Sequence, residues 1–354
     1  MHREIAGTLI FDAKEAAAAP LVLVEAARIL VGGGLVAFPT ETVYGLGANA
    51  LDAQAVQKIF LAKGRPSDNP LIVHLADFAQ LQEIACEIPP EAERLARHFW
   101  PGPLTLVLKK RLVVPDVVTG GLDSVAVRIP AHPLALALLR AAGRPIAAPS
   151  ANLAGKPSPT SARHVIDDLA GRIDAVLDGG SCAVGVESTI LDIRGGCPLL
   201  LRPGGVTPEQ ISSVLGKKCL LYSWQEDTAM TPPSPGLKYV HYAPQAPLYL
   251  ILASPEKLLA EIVRLQNSYQ RQGKHVGFLL SKELAAEFEA DTVEILGSRD
   301  NAAELAANLY GALRRLDESP AELIIAEGYN EAGIGLAVMN RLKKAAGSRV
   351  LVVE

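Results

Sequence analysis

VAFPTETVYGLGANALDAQAVQKIFLAKGRPSDNPLIVHLA, residues Val36 to Ala76, decides the fold class of this chain. Its pattern predicts an apolar strand (Leu35–Phe38), a hydroxyl-rich turn (Pro39–Thr42), a helix from Ala53 to Ala62, a Lys-Gly-Arg turn and a second strand from Leu71 to Ala76. Two strand ends are thereby brought near each other. One presents Thr40, Glu41 and Thr42; the other follows a loop carrying Lys63, Arg65, Ser67 and Asn69. From Lys58 to His74 the cations Lys58, Lys63 and Arg65 outnumber the single Asp68, whereas the whole chain carries −4. The positive charge is local and looks aimed at an anion.

Working outward, 354 residues exceed one typical core and imply two domains. An apolar fraction of 49% with 20% charged residues is a globular composition and excludes disorder. The acidic balance excludes a basic coat, so nucleic acid would meet only a patch. Cys86, Cys182, Cys197 and Cys219 lie far apart without a C-x-x-C pair, which signals neither a zinc site nor a disulfide framework. They read as reduced thiols of a cytosolic protein. Charges at Asp12, Lys14 and Glu15 interrupt any leader-like apolar run, and no stretch of 18 apolar residues offers a membrane span. A cytoplasmic protein with no membrane partner is expected.

Residues 20–31 have Leu23, Ala26, Ala27 and Leu30 at helical spacing, stopped by Gly32-Gly33-Gly34. The glycines of Tyr44-Gly45-Leu46-Gly47 admit a ligand close to the backbone or relieve a tight bend; taken alone, the bend is the reading. Neither common phosphate loop occurs in the chain. A helix over Pro89–His98 and a strand over Leu104–Lys109 follow. In Ser124–Pro130, alternation puts Ser124, Ala126 and Arg128 on one face, making Arg128 a ligand clamp or an ion-pair partner. His74 shares a strand face with Ile72 and Ala76, a setting in which histidine is more often structural. The loop after Ile146 carries Ser150, Asn152, Lys156, Ser158 and Thr160 on a Pro/Gly-stiffened frame, suited to phosphate and ribose oxygens or simply a surface turn. A further strand delivers Arg202 beside Pro203-Gly204-Gly205.

A short helix from Thr207 to Val214 closes a first domain, 1–215. Residues 216–246 form a linker, because 231–247 hold five prolines in seventeen positions and continue neither a helix nor a central strand. It also carries Ser234, Lys238, Tyr239, His241 and Tyr242, so it is an ordinary spacer or a lid over the first domain's mouth. From 247 to 354, strands alternate with helices, predicting a Rossmann-like, doubly wound parallel sheet. No catalytic cluster stands out there.

Phe38-Pro39-Thr40-Glu41-Thr42-Val43-Tyr44-Gly45-Leu46, Lys63-Gly64-Arg65-Pro66-Ser67, Asn69-Pro70-Leu71 and Pro149-Ser150-Ala151-Asn152 together resemble the YrdC family of threonylcarbamoyl-AMP synthases. Ser234-Pro235-Gly236 and His241-Tyr242-Ala243-Pro244, followed by an α/β domain, resemble its two-domain branch. The resemblance implies a twisted mixed sheet with a concave positive cavity. It implies that L-threonine, bicarbonate and ATP give threonylcarbamoyl-AMP and pyrophosphate, a nucleotidyl transfer on the way to threonylcarbamoyl-adenosine in tRNA. It places threonine near Thr42, His74, Arg128, Ala148 and Ser188. ATP would lie near Lys63, Arg65, Asn69, Ser124, Ser150, Asn152, Ser158 and Arg202, with Ser234, His241 and Tyr242 of the linker closing over both. Mg²⁺ would accompany ATP, with no metal ligand named in the protein. A downstream threonylcarbamoyl-transferase complex would take the product, and contact with tRNA stays open.

The residue types fit that chemistry on their own terms. A carbamate attacking an α-phosphate brings two anions together, so Lys63 and Arg65, with Arg202, serve catalysis by neutralising charge and aligning the reactants. Arg128 suits a carboxylate. Two other classes compete. A non-catalytic module gripping tRNA or double-stranded RNA is disfavoured by the acidity of the chain. Carbamoyl transfer in hydrogenase maturation is disfavoured by the lack of zinc-binding Cys clusters.

Overall fold

The computed structural model describes residues 2–14, 19–222, 231–236 and 242–353. They fall into two compact units, the first made of 1–154, 158–183 and 187–238, the second of 155–157, 184–186 and 239–354.

The first unit begins with β1 (His2–Ile5), β2 (Thr8–Asp12), α1 (Ala19–Val31), β3 (Val36–Phe38), β4 (Gly45–Asn49), α2 (Ala53–Lys63) and β5 (Ile72–His74). Next come α3 (Leu81–Ile84), β6 (Ala85–Cys86), α4 (Pro90–Phe99), β7 (Leu104–Lys110), α5 (Asp116–Thr119), β8 (Ser124–Arg128), α6 (Pro133–Ala142) and β9 (Ile146–Ala147). It ends with α7 (Ala162–Leu169), β10 (Ala175–Asp178), β11 (Thr189–Asp192), β12 (Leu199–Arg202), α8 (Pro208–Leu215) and β13 (Leu220–Leu221). These strands make one mixed sheet in the order β1-β2-β10-β3-β4-β9-β5-β8-β7-β11-β12-β13, with β6 beside β7. Local chemistry sets the helix ends. Asp52 caps α2 by accepting from the amides of Gln54 and Ala55, and Gly64 ends it in the left-handed region at φ 61°. Thr207 and Gln210 close a capping box at the start of α8. The predicted stripe Leu23, Ala26, Ala27 and Leu30 is buried, packing α1 with α6 over Val36, Phe38, Ala175 and Leu177.

Two features depart from the sequence reading. Gly45 and Gly47 belong to an extended strand, not a bend: β4 pairs antiparallel with β3, Gly47 opposite Val36. A Cβ on Gly47 would lie 2.9 Å from the Phe38 ring and 3.0 Å from Ile146, so glycine is there because neighbouring side chains occupy the space. The N-terminal hairpin β1–β2 and strand β10 also go unread in the sequence, although β10 pairs in parallel with both β2 and β3. Beyond residue 215, the described β13 and Ser234 also group with the first unit.

The second unit contains β14 (Leu248–Leu252), α9 (Pro255–Gln270), β15 (Val276–Ser281), α10 (Lys282–Ala285), β16 (Val293–Gly297), α11 (Ala302–Glu318), β17 (Leu323–Glu327), α12 (Gly335–Ala346) and β18 (Val350–Val352). Every strand pair is parallel. Leu258, Ile262, Leu265 and Leu284 of α9 and α10 pack on one face with Ile251, Phe278 and Ile325. On the other face Leu316 of α11 approaches Gly277, and Met339 of α12 approaches Gly328. The sheet is therefore covered on both sides. Its order, β16-β15-β17-β14-β18, is 3-2-4-1-5 within the unit, whereas the Rossmann order runs 3-2-1-4-5. Alternating strand and helix dictates parallel pairing with helical cover, but not which strand inserts between which. No helix among the described residues is long and apolar enough to cross a membrane.

Candidate active site

β5 and β8 pair in parallel with His74 opposite Arg128, so the two side chains stand side by side on one sheet face. Arg128 is 3% exposed; its Nη1 donates to Thr42 Oγ1 at 2.9 Å, its Nε to the Gly102 carbonyl at 3.2 Å, and its Nη2 lies 2.6 Å from Glu41 Oε1. In a flat sheet β3 and β8, with three strands between them, would lie about 19 Å apart. The contact of Arg128 with the turn after β3 therefore requires that turn to fold back across the intervening strands. That turn is self-locked: Thr40 Oγ1 donates to the Val43 carbonyl and accepts from the amides of Thr42 and Val43. His74 is buried, edge-on to Phe38, with Nδ1 3.3 Å from the Ile72 carbonyl. Burial, and then the neighbouring Arg128 charge, push its ring down to about 3, so it is neutral.

A second group forms at the end of α2. Lys63 Nζ donates to the carbonyls of Ser150 and Asn152 at 2.5 and 2.6 Å. Burial and the Arg65 charge push its ammonium well below the usual lysine range, against the pull of Asp168. Arg65 is half-buried, with Nη2 donating to the carbonyls of Asn69 and Pro70. The Asn69 amide is buried with neither its oxygen nor its nitrogen hydrogen-bonded, a state expected where a ligand completes the pairing. The loop after β9 is stitched to the turn after β3. The Tyr44 amide donates to the Pro159 carbonyl, the Ala151 amide to Tyr44 and the Leu46 amide to Pro149, while the Ala148 amide donates to Ile72.

From this loop Ser158 Oγ donates to Glu187 at 2.5 Å. Next to Glu187, Ser188 Oγ lies 2.8 Å from Thr105 Oγ1, and Arg202 reaches the Ser188 carbonyl from both Nε (3.2 Å) and Nη2 (3.0 Å). The segments singled out in the sequence are thus joined through loop 149–160. Ser124 is the exception: it opens β8, about 13 Å along the strand from Arg128. Ser234 is fully buried in the first unit with its hydroxyl unpaired. Tyr242 belongs to the second unit, stacked on Tyr310 with Arg341 5.4 Å from its ring centre. His241 lies outside the described residues. Thr105, Glu187 and the Gly102 carbonyl enter the network without being read as site groups in the sequence. The Thr105–Ser188 contact spans 83 residues and leaves no local signal.

Among the described residues no three His, Cys, Asp or Glu side chains gather as a metal cage. The four cysteines are free. The arrangement gathers basic side chains and hydroxyls, fit to hold anions and align them.

Comparisons with known proteins agree on one group. The Sua5/YciO/YrdC model, described as "Telomere recombination", matches residues 28–204, and the model "Threonylcarbamoyl-AMP synthase, C-terminal domain" matches 206–347. A Pyrococcus abyssi threonylcarbamoyl-AMP synthase is 53% identical over 93% of this chain and 95% of its own. A Bacillus subtilis protein of the same name is 52% identical over 93% and 94%. A crystal structure of P. abyssi Sua5 complexed with L-threonine matches with a TM-score of 0.92 at 50% identity, covering 98% of this chain and 100% of that one.

Proposed function

Because this chain belongs to the Sua5/YciO/YrdC family, in the form that ends in a threonylcarbamoyl-AMP synthase C-terminal domain, we propose that it acts as a threonylcarbamoyl-AMP synthase. It joins L-threonine, bicarbonate and ATP into threonylcarbamoyl-AMP, with release of pyrophosphate and water, for tRNA modification. The observation that carries this is identity of 52–53% to relatives of that name along nearly the whole of both chains.

The chemistry has two steps. Threonine's amine adds to the carbon of bicarbonate, water leaves, and a carbamate remains. A carbamate oxygen then attacks the α-phosphorus of ATP, and the bond to pyrophosphate breaks, making this a nucleotidyl transfer. In this reading Arg128, oriented by Thr42 and Gly102, grips the threonine carboxylate, with His74, Ala148 and Ser188 around the side chain. Lys63, Arg65 and Arg202, with Asn69, Ser124, Ser150, Asn152 and Ser158, hold the nucleotide; Lys63 and Arg65 neutralise the charge that builds as two anions meet. Mg²⁺ would accompany ATP and help to neutralise the phosphate charge, with no protein ligand assigned to it. His74, so weak a base, is a binding group and does not take the amine's proton. Ser234, His241 and Tyr242 are the linker groups that would close over the ligands. The product passes to a threonylcarbamoyl-transferase complex in the cytoplasm, where tRNA is met.

Incubating the protein with MgATP, bicarbonate and threonine and following pyrophosphate tests this. Release should require both threonine and bicarbonate; release indifferent to either overturns the assignment.

A further inference from the structure

Glu41 sits at the middle of the Thr40–Val43 turn, between two threonines whose hydroxyls touch each other at 2.8 Å. The backbone there is locked by Thr40, so the Glu41 side chain can turn without moving the chain. Its carboxylate meets Arg128 in a setting that leaves both groups poorly satisfied. The pair is buried, with side chains 3% and 12% exposed, yet neither Glu41 oxygen nor Arg128 Nη2 has an aligned hydrogen bond despite the 2.6 Å approach. Carboxylate and guanidinium normally meet through two parallel bonds. Here Nη1 and Nε are committed to Thr42 and Gly102.

We propose that Glu41 is the specificity group for the α-ammonium of the incoming amino acid, and that in the unliganded protein it occupies the carboxylate place on Arg128. This rests on the reading of Arg128 as the carboxylate clamp. The argument is one of charge conservation in a buried place. When a ligand carboxylate takes Arg128, Glu41 loses its counter-charge and stays buried, which is costly unless another cation arrives. An α-amino acid delivers one, its ammonium lying two bonds from its carboxylate carbon. The other titratable groups near Glu41 do not serve. Burial lowers the His132 ring and raises the Cys182 thiol to about 12, so both are neutral. A ligand with a carboxylate but no amine would displace Glu41 and leave it stranded, and so would be rejected.

The test is calorimetric binding of L-threonine and of 3-hydroxybutyrate, which is threonine without its amine, to the full chain. Glu41→Gln should weaken threonine at least tenfold while leaving 3-hydroxybutyrate unchanged or tighter, so that the preference collapses; Glu41→Asp should restore part of it. ATP binding serves as the check on folding. Equal shifts for both ligands in Glu41→Gln would overturn the proposal, reducing Glu41 to a structural partner of Arg128. Arg128→Lys separates the two layers of argument: it should weaken both ligands together. Threonine binding indifferent to that change would overturn the clamp itself, whatever Glu41 does.

Discussion

His74→Gln tests whether a buried neutral ring beside a guanidinium governs acid stability. In the folded chain the ring stays neutral down to about pH 3, whereas unfolding returns it to its ordinary value of 6.5. Between those values the unfolded state binds the extra proton. Stability from this group is therefore complete above about pH 6.5 and falls as the pH drops toward 3, by roughly 1.4 kcal/mol per unit. Urea titrations at pH 7 and 5 should show wild type losing about 2 kcal/mol more than His74→Gln; equal losses would mean that the ring titrates normally. At this scale the sequence made Arg128 a clamp or an ion-pair partner, and alternation along Ser124–Pro130 supplied only its sheet face. That it lies beside His74 follows from the parallel register of β5 with β8. That it meets Glu41 follows from the turn after β3 folding back across the sheet. Lys63 shows the same division: its cationic turn is legible, but its two carbonyl partners stand 87 and 89 residues away.

Among the elements, β4 is the one whose character the sequence hid. Its Gly-Leu-Gly lacks the β-branched residues that mark a strand, yet it is central, between β3 and β9. If its glycines are there for space, Gly47→Ala should cost about 1–3 kcal/mol by overpacking against Phe38 and Ile146. Gly195→Ala is the control, since a Cβ there meets nothing within 4 Å; it should change stability by less than about 0.5 kcal/mol. Denaturant midpoints compare the two, and matched losses would reject the spacing argument. Elsewhere the elements were legible because their signals are local. The helix expected from Ala53 to Ala62 is α2, Ala53–Lys63, with Asp52 and Gly64 marking its ends.

At the scale of the whole molecule, the sequence closes the first domain at 215 with the helix that is α8, and β13 and the buried Ser234 also group with that first unit. A fragment of residues 1–207 should therefore melt below a fragment of 1–238, or show no cooperative transition. Equal melting temperatures by circular dichroism would make the segment after 207 dispensable to that fold. The sequence alone determined the α/β class, the alternation that makes the second sheet parallel, and the basic, hydroxyl-bearing segments suited to anions, because each is written in residues close along the chain. Only the tertiary structure decided the 3-2-4-1-5 order, the strand identity of Gly45–Asn49 and the pairing of Glu41 with Arg128. These depend on which distant segments share space, and the physics that selects among such pairings acts through packing summed over the folded unit.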